Sequence, residues 1–193
     1  EGQRIPALLL SSSPHRIGSE GTPWQDLFDV DNGVVRYFGD NKSASSASLS
    51  PGNKLLLEQF QYHTSPDPAE RKKAVPVLFF EREEVDGRKK GNVKFQGLGL
   101  IQRIELVTQY QQSIGYFTNY VFEFTILSLS TENELFDWAW ISQRRNPDVS
   151  LLESVKLAPK SFIEWQAHGQ LVLEKQRRRV SNFKLVKSKD QLP

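Results

Sequence analysis

The sequence contains no cysteine and no methionine, and only three histidines in 193 residues. Without thiols it can form no disulfide, thiolate nucleophile, iron–sulfur cluster or cysteine-bound zinc site. His15, His63 and His168 lie far apart and none falls in a His-x-x-x-His spacing, so a histidine-based metal centre has no basis either. Long hydrophobic runs are also missing. The apolar stretch at residues 7–10 runs into serines and later ones are broken by charge, which argues against a membrane-spanning helix or a secretory signal and leaves a cytoplasmic location as the expectation. There is no Gly-x-Ser-x-Gly elbow for a nucleophilic serine. Gly97-Leu98-Gly99 lacks the third glycine of a nucleotide fingerprint and reads as tight packing at a bend between two strands.

Another apparent site fails on spacing. Pro66-Asp67 followed by Glu70-x-Lys72 imitates the elements of a metal-dependent nuclease, in which an Asp and a Glu from neighbouring strands hold Mg²⁺ beside a lysine. Two residues between Asp67 and Glu70, with Pro68 among them, cannot make those strands. No catalytic residue and no metal ligand is expected in the chain.

What the sequence does have is aromatic bulk and clustered positive charge. With 38% hydrophobic residues, among them 12 Phe, 5 Tyr and 4 Trp, it can repay the entropy of ordering one domain of this length. Residues 1–193 therefore read as a single domain, with a Ser-, Gly- and Pro-rich arm at 1–23 and a basic terminal segment at 170–193. The net charge of +2 is small, but it is concentrated at Arg71-Lys72-Lys73, at Arg88-Lys89-Lys90 with Lys94, at Arg144-Arg145, and around Arg177 and Arg178. Such clusters neutralise phosphates and steer association with nucleic acid.

The coarse reading is α+β. Residues 34–38 favour a strand, ended by Gly39-Asp40-Asn41 and a small-residue loop at 43–50. A helix is expected over 52–63, capped by Ser50, with Pro51 in its first turn and Leu55, Leu56 and Phe60 on its buried side. Residues 75–81, 93–96, 98–107 and 120–129 are expected strands. The last of these alternates poorly, as a strand covered on both faces would. Thr131-x-x-Glu134 and Ser161-x-x-Glu164 read as capping boxes of two further helices, the second ending near Gly169. Because no long helices separate the strands, a strongly curved or partly closed mixed sheet is expected.

A protein that inspects one base closely needs an aromatic face for the ring and directed polar groups for its edge. Tyr37, Asp40 and Asn41 supply both within one glycine-bearing turn. Asp40 can accept from an exocyclic amine, Tyr37 can stack, and Asn41 can either fix the loop or donate to the base. Turn chemistry alone also explains Asp and Asn here.

The linked motifs Asp29-Val30-Asp31-Asn32-Gly33, Tyr37-Phe38-Gly39-Asp40-Asn41-Lys42, Pro51-Gly52-Asn53-Lys54-Leu55-Leu56-Leu57 and Pro76-Val77-Leu78-Phe79-Phe80 resemble the N-terminal recognition domain of AspBHI-type, MspJI-related modification-dependent restriction endonucleases. The resemblance continues through residues 93–99, Gln109-Tyr110, residues 119–124 and 138–145. It implies an SRA-like, PUA-like curved mixed sheet or partly open barrel with flanking helices, which binds double-stranded DNA and flips out a modified cytosine, 5-methylcytosine first. It further implies a base pocket at Tyr37, Asp40 and Asn41, with Phe80 as the opposite aromatic wall and Gln96 nearby; Phe79, Phe95 and Tyr110 are the other wall candidates. Lys42, Asn53, Lys54, Arg82, Lys94, Arg144, Arg145, Arg177 and Arg178 become contacts to the DNA backbone or groove. SRA domains commonly carry a Gly-Asn-Lys-Arg tip, which here is Gly52-Asn53-Lys54-Leu55. Full enzymes of this kind join such a domain to a separate nuclease that brings its own Mg²⁺, so the chain reads as an excised or naturally isolated reader. The competing readings are a PUA-like RNA-binding protein and a small hydrolase using Asp40 with Glu81 or Glu123.

Overall fold

The computed structural model describes residues 4–12, 26–29, 33–83, 85, 87, 92–127 and 135–174. Six strands, β1 (Leu8–Ser12), β2 (Leu27–Asp29), β3 (Val34–Phe38), β4 (Val77–Arg82), β5 (Val93–Gln111) and β6 (Gly115–Leu127), form one sheet in the order β1-β4-β5-β6-β3-β2. β1 runs parallel to β4 and every other neighbouring pair is antiparallel. The helices are α1 (Pro51–Thr64), α2 (Pro68–Arg71), α3 (Ala139–Arg145), α4 (Leu151–Ser154) and α5 (Lys160–His168). This is the expected α+β architecture. No helix among the described residues is long and apolar enough to cross a membrane.

The expected break at Gly97-Leu98-Gly99 does not occur. Residues 93–111 are one strand, and the glycines serve the packing across it: a Cβ on Gly99 would run into the ring of Phe79, a core side chain that lies edge-on to Phe124 at 4.9 Å. The bend read at these glycines is a register shift within the strand: Phe79 pairs with Gly97 and Phe80 with Phe95, passing over Gln96, and Gly97 sits at φ 132; a second shift falls at Ile101/Arg103 between β5 and β6. Such irregularities add local twist and bend to a sheet. At the second shift the Ile101 amide donates to Nδ1 of His63 at 2.9 Å. β6 buries residues 121, 122 and 124–127 in near succession, as a strand covered on both faces should.

α1 lies within a residue of its expected limits, and Asn53, Leu56, Gln59 and His63 are its buried side. It sends Leu56, Leu57 and Phe60 into a cluster with Val35, Val77, Phe79, Ile101 and Phe122. Tyr62 packs against a second cluster built on Leu78, Leu98, Leu100, Trp140, Phe162 and Trp165. The Ser50 side chain makes no cap bond to α1; that duty falls to Asp40. Asp67 caps α2, accepting from the Ala69 amide at 2.8 Å, so the nuclease-like Pro-Asp is a helix start. Around α5, Ser161 is buried inside the first turn and Pro159 takes the cap position, while the chain leaves through Gly169 at φ 63 as expected. The capping box that the sequence reading missed joins Ser150 and Glu153 at α4; Thr131 and Glu134 lie outside the described residues. Residues 170–174 are again helical, and Leu173 is buried in the second cluster, so the folded body continues past Gly169.

Candidate nucleic-acid interface

β3 delivers Tyr37 and Phe38 to the edge of the first cluster, and the Gly39 amide still pairs with the Tyr120 carbonyl at 2.8 Å. Beyond it the chain turns towards the N-terminus of α1. The two oxygens of Asp40 accept from the amides of Gly52 at 2.9 Å and Asn53 at 3.0 Å. A helix start leaves such amides without intrahelical partners and carries partial positive charge, so a carboxylate satisfies both needs. Asn53 returns the bond: its Oδ1 accepts from the Asp40 amide at 3.1 Å. A Cβ on Gly39 would overlap the Asn53 side chain, which is why the turn needs glycine there.

Asn53 is fully buried. Its Nδ2 donates to the Ala47 carbonyl at 2.8 Å and to Oδ1 of Asn119 at 3.1 Å. Asn119 in turn donates to the Gly39 carbonyl at 2.8 Å and to Oε1 of Gln109 at 3.0 Å. One polar network thus locks the β3 turn, α1, β6 and β5 together. Asn41 is equally committed: Nδ2 donates to the carbonyls of Thr118 at 2.7 Å and of Ser43 and Ser45 at 3.2 Å each, and Oδ1 accepts from Ser43 and Ser50 hydroxyls. Of the two roles open to Asn41, the structure shows loop fixation. Asn53, expected at the DNA, is instead a buried strut.

Tyr37 occupies an acidic, half-enclosed position. Burial, then the charges of Asp26 and Asp40, push its phenol up to about 12. Asp26, just ahead of β2, belongs to none of the motifs picked out in the sequence. Its Oδ1 accepts from the Phe38 amide at 2.9 Å, and burial raises its carboxyl to about 6 against the lowering effect of that bond.

Phe80 and Gln96 do not join this turn. Phe80 pairs with Phe95 in register, whereas Tyr37 pairs with Phe122, which faces Ile104 on β5; the two places are separated by on the order of 30 Å of strand contour. Phe80 lies in an aromatic cluster, 5.5 Å from Phe95 and 6.2 Å from Trp138 between ring centroids, and Gln96 donates to Glu81 at 2.7 Å. Arg82 and Lys94 share that end of the sheet. Phe79 is core, and Tyr110 stands at the tip of the β5–β6 hairpin beside Tyr116 at 5.1 Å. The single pocket drawn from the sequence therefore divides into two places, because strand β5 is longer than its glycines suggested.

Of the cations, Lys42 and Lys54 flank the turn and are exposed, as is Arg145. Arg144 is not available for phosphate: it is buried, donates from Nε to the Pro6 carbonyl at 2.8 Å and lies 6.0 Å from the Trp140 ring. Burial, then the neighbouring charge of Arg4, lowers its guanidinium to about 10. Arg177 and Arg178 lie outside the described residues. The acidic pairing needed by a hydrolase does not form, since Glu81 faces Lys94 and Glu123 faces Arg36 and Arg103. Among the described residues no group of three His, Asp or Glu side chains converges as a metal site would require.

The family model described as "Restriction endonuclease AspBHI N-terminal" matches residues 4–177. The chain belongs to this family. The fold agrees with that of solved members and relatives. The MspJI restriction endonuclease, solved in complex with a 27-mer oligonucleotide, is 35% identical with a TM-score of 0.74 over 87% of this chain and 39% of that one. The DNA recognition domain of the cytosine modification-dependent restriction endonuclease LpnPI is 22% identical with a TM-score of 0.65, over 88% of this chain and 72% of that one. The DNA modification-dependent restriction endonuclease AspBHI is 24% identical with a TM-score of 0.65, over 86% and 72%. The chain thus spans 39% of the length of MspJI. No curated protein matches it. The sheet and α1 described above are the scaffold of the AspBHI N-terminal fold.

Proposed function

We propose that this chain binds double-stranded DNA and recognises a modified cytosine, 5-methylcytosine first, by drawing the base out of the stack. The observation that carries this reading is the Tyr37 turn. A partly buried aromatic ring feels the charges of two carboxyl groups, Asp26 and Asp40, on a backbone tied to α1, β5 and β6 by side-chain amides that hold it fixed. A preorganised edge of this kind loses little freedom on binding, which favours discrimination over mere affinity. The oligonucleotide complex of MspJI and the cytosine-modification dependence named for LpnPI support the choice of ligand.

Beside the turn, the β5–β6 hairpin projects Leu106, Tyr110 and Tyr116 into solvent. The contact from Asn41 to the Thr118 carbonyl ties this ribbon to the turn. A two-stranded ribbon fits the major groove, and exposed tyrosines suit bases or sugars disturbed by flipping. Lys42 and Lys54 supply phosphate contacts. No residue of this chain is assigned a catalytic role; cleavage falls to a fused or separate nuclease domain with its own Mg²⁺, in a cytoplasmic restriction system.

Matched titrations test the reading. Duplexes with one 5-methylcytosine in randomised flanks, and the same pool unmodified, are compared at two salt concentrations. Tighter binding of the modified pool, with the ratio preserved at both salts, is the expected result; equal affinities would sink the modified-base reading.

A further inference from the structure

We propose that the exposed face of the β5–β6 hairpin grips the duplex only in the pose in which a base lies against Tyr37, because Asn119 rivets the hairpin to the Tyr37 turn. The inference rests on the modified-cytosine reading above and concerns what couples groove contact to base capture. Tyr37 pairs with Phe122, which pairs with Ile104, and steps of two residues along a strand stay on one face. The face of Tyr37 therefore continues onto the hairpin as three rungs, Leu106 opposite Tyr120, Thr108 opposite Thr118 and Tyr110 opposite Tyr116. None carries a charge, and Leu106, Tyr110 and Tyr116 are more than half exposed. Such a face suits sugars and bases, and adds nothing to the salt dependence that phosphate contacts create.

The hairpin leaves the sheet with no strand paired beside it: β3 reaches only to Val121 on β6, and β4 only to Gly99 on β5. A two-stranded ribbon on its own is weakly held. Its fixings are side chains. Asn119 alternates to the face opposite the rungs and is fully buried. Its Nδ2 donates to the Gly39 carbonyl at 2.8 Å, and its Oδ1 accepts from Asn53, whose own Oδ1 holds the Asp40 amide. Gln109, on the other arm of the hairpin, joins by accepting from Asn119 at 3.0 Å. Both arms are thus tied to the two residues that follow Phe38, and a swing of the ribbon breaks these bonds or moves the turn. Hydrogen-bond networks of this kind carry energetic coupling between sites. A ribbon free to swing would grip captured and uncaptured duplexes alike, whereas a riveted one adds its contact to the captured state alone.

The test is a double-mutant cycle in the full chain, read as the ratio of affinities for duplex pools with and without 5-methylcytosine. Tyr110→Ser combined with Tyr116→Ser, both at exposed positions, is expected to lower that ratio about fivefold or more, within the usual span of coupling between sites. Asn119→Asp keeps the acceptor oxygen and removes both bonds that Asn119 donates, and is expected to lower the ratio by itself. The tyrosine pair substituted on top of it is then expected to weaken both pools equally, leaving the ratio where Asn119→Asp put it. A ratio unmoved by the tyrosine pair, or lowered by it as far in Asn119→Asp as in wild type, overturns the proposal. Should Asn119→Asp melt well below wild type, the cysteine-free sequence allows a second reading. Spin labels at Ser113→Cys in the hairpin tip and Lys72→Cys on the body, both exposed positions, are expected to give one narrow distance that unmodified duplex does not shift; a broad or shifted distance overturns the rivet. A wild-type chain that prefers neither pool overturns the modified-cytosine reading, and a wild-type preference indifferent to the tyrosine pair overturns this coupling alone.

Discussion

At the residue scale, two titratable groups, one buried and one half-buried, push stability in opposite directions with pH. His63 is fully enclosed, with Nδ1 holding the Ile101 amide and its ring edge-on to Trp165 at 5.4 Å. Burial lowers its imidazole to about 3. Below the ordinary value near 6.5 the unfolded chain takes up a proton that the native chain refuses, so this residue costs stability as pH falls from about 6.5 to about 3, by about 1.4 kcal/mol per unit, and nothing further below that. Asp26 has the opposite sign, because its folded carboxyl titrates near 6 and above its unfolded value. It adds stability as pH falls from about 6 towards 3.8 and withholds it above 6. Denaturant midpoints taken from pH 7 to pH 4 are therefore expected to fall overall, more steeply in Asp26→Asn than in wild type. A slope unchanged by that substitution would contradict the assignment of the raised carboxyl. Asp40 belongs to a third class, an exposed acid whose work is capping; Asp40→Ala is expected to lower stability by about 1–2 kcal/mol, measurable by urea unfolding.

At the element scale, the best-read features of the sequence were those with local causes. α1 followed from Pro51 and the apolar spacing of Leu56 and Phe60, β3 from its β-branched and aromatic run, and the end of α5 from Gly169. What escaped was set by distant partners. Nothing near Asp40 in the sequence says that it caps a helix beginning eleven residues later, nor that Asn53 and Asn119 meet inside the fold. Phe80 and Gln96 fell outside the turn because β5 runs unbroken through its glycines: Gly99 answers to the Phe79 ring, and Gly97, at φ 132, to the register shift opposite Phe79 and Phe80. The same close approach yields a prediction at Gly39. A methyl group there must displace Asn53, and with it the Asp40 cap and the Asn119 bonds, so Gly39→Ala is expected to cost about 1–3 kcal/mol, the scale of overpacking in a tight interior. It is also expected to weaken discrimination between modified and unmodified DNA. Thermal unfolding with paired titrations checks both, and a Gly39→Ala chain of wild-type stability would show that the turn and α1 separate more easily than their bonds imply.

At the scale of the whole molecule, a net charge of +2 is too small to drive binding by itself, and the buried Arg144 and Arg71 are not available for direct phosphate contact. Arg71 is buried, spending its guanidinium on the carbonyls of Ser65 at 2.8 Å, Gln166 at 3.0 Å and Ala167 at 2.9 Å, where it ties the ends of α1 and α5 together. On the proposed function, exposed cations around the turn contribute to phosphate contact, with Lys54 in the first turn of α1 and Lys42 just after Asp40. Each phosphate neutralised releases condensed counterions, so the logarithm of affinity falls linearly with the logarithm of salt, with a slope near 0.9 per contact. Lys54→Ala is accordingly expected to lower the steepness of that line by about 1 and to weaken modified and unmodified duplexes alike. A weaker affinity with the slope intact would instead place Lys54 away from the phosphates. Titrations across a range of salt concentrations separate the two outcomes on one instrument. A Lys54→Ala chain whose slope matches wild type would move the phosphate track away from α1, towards other exposed cations such as Arg145.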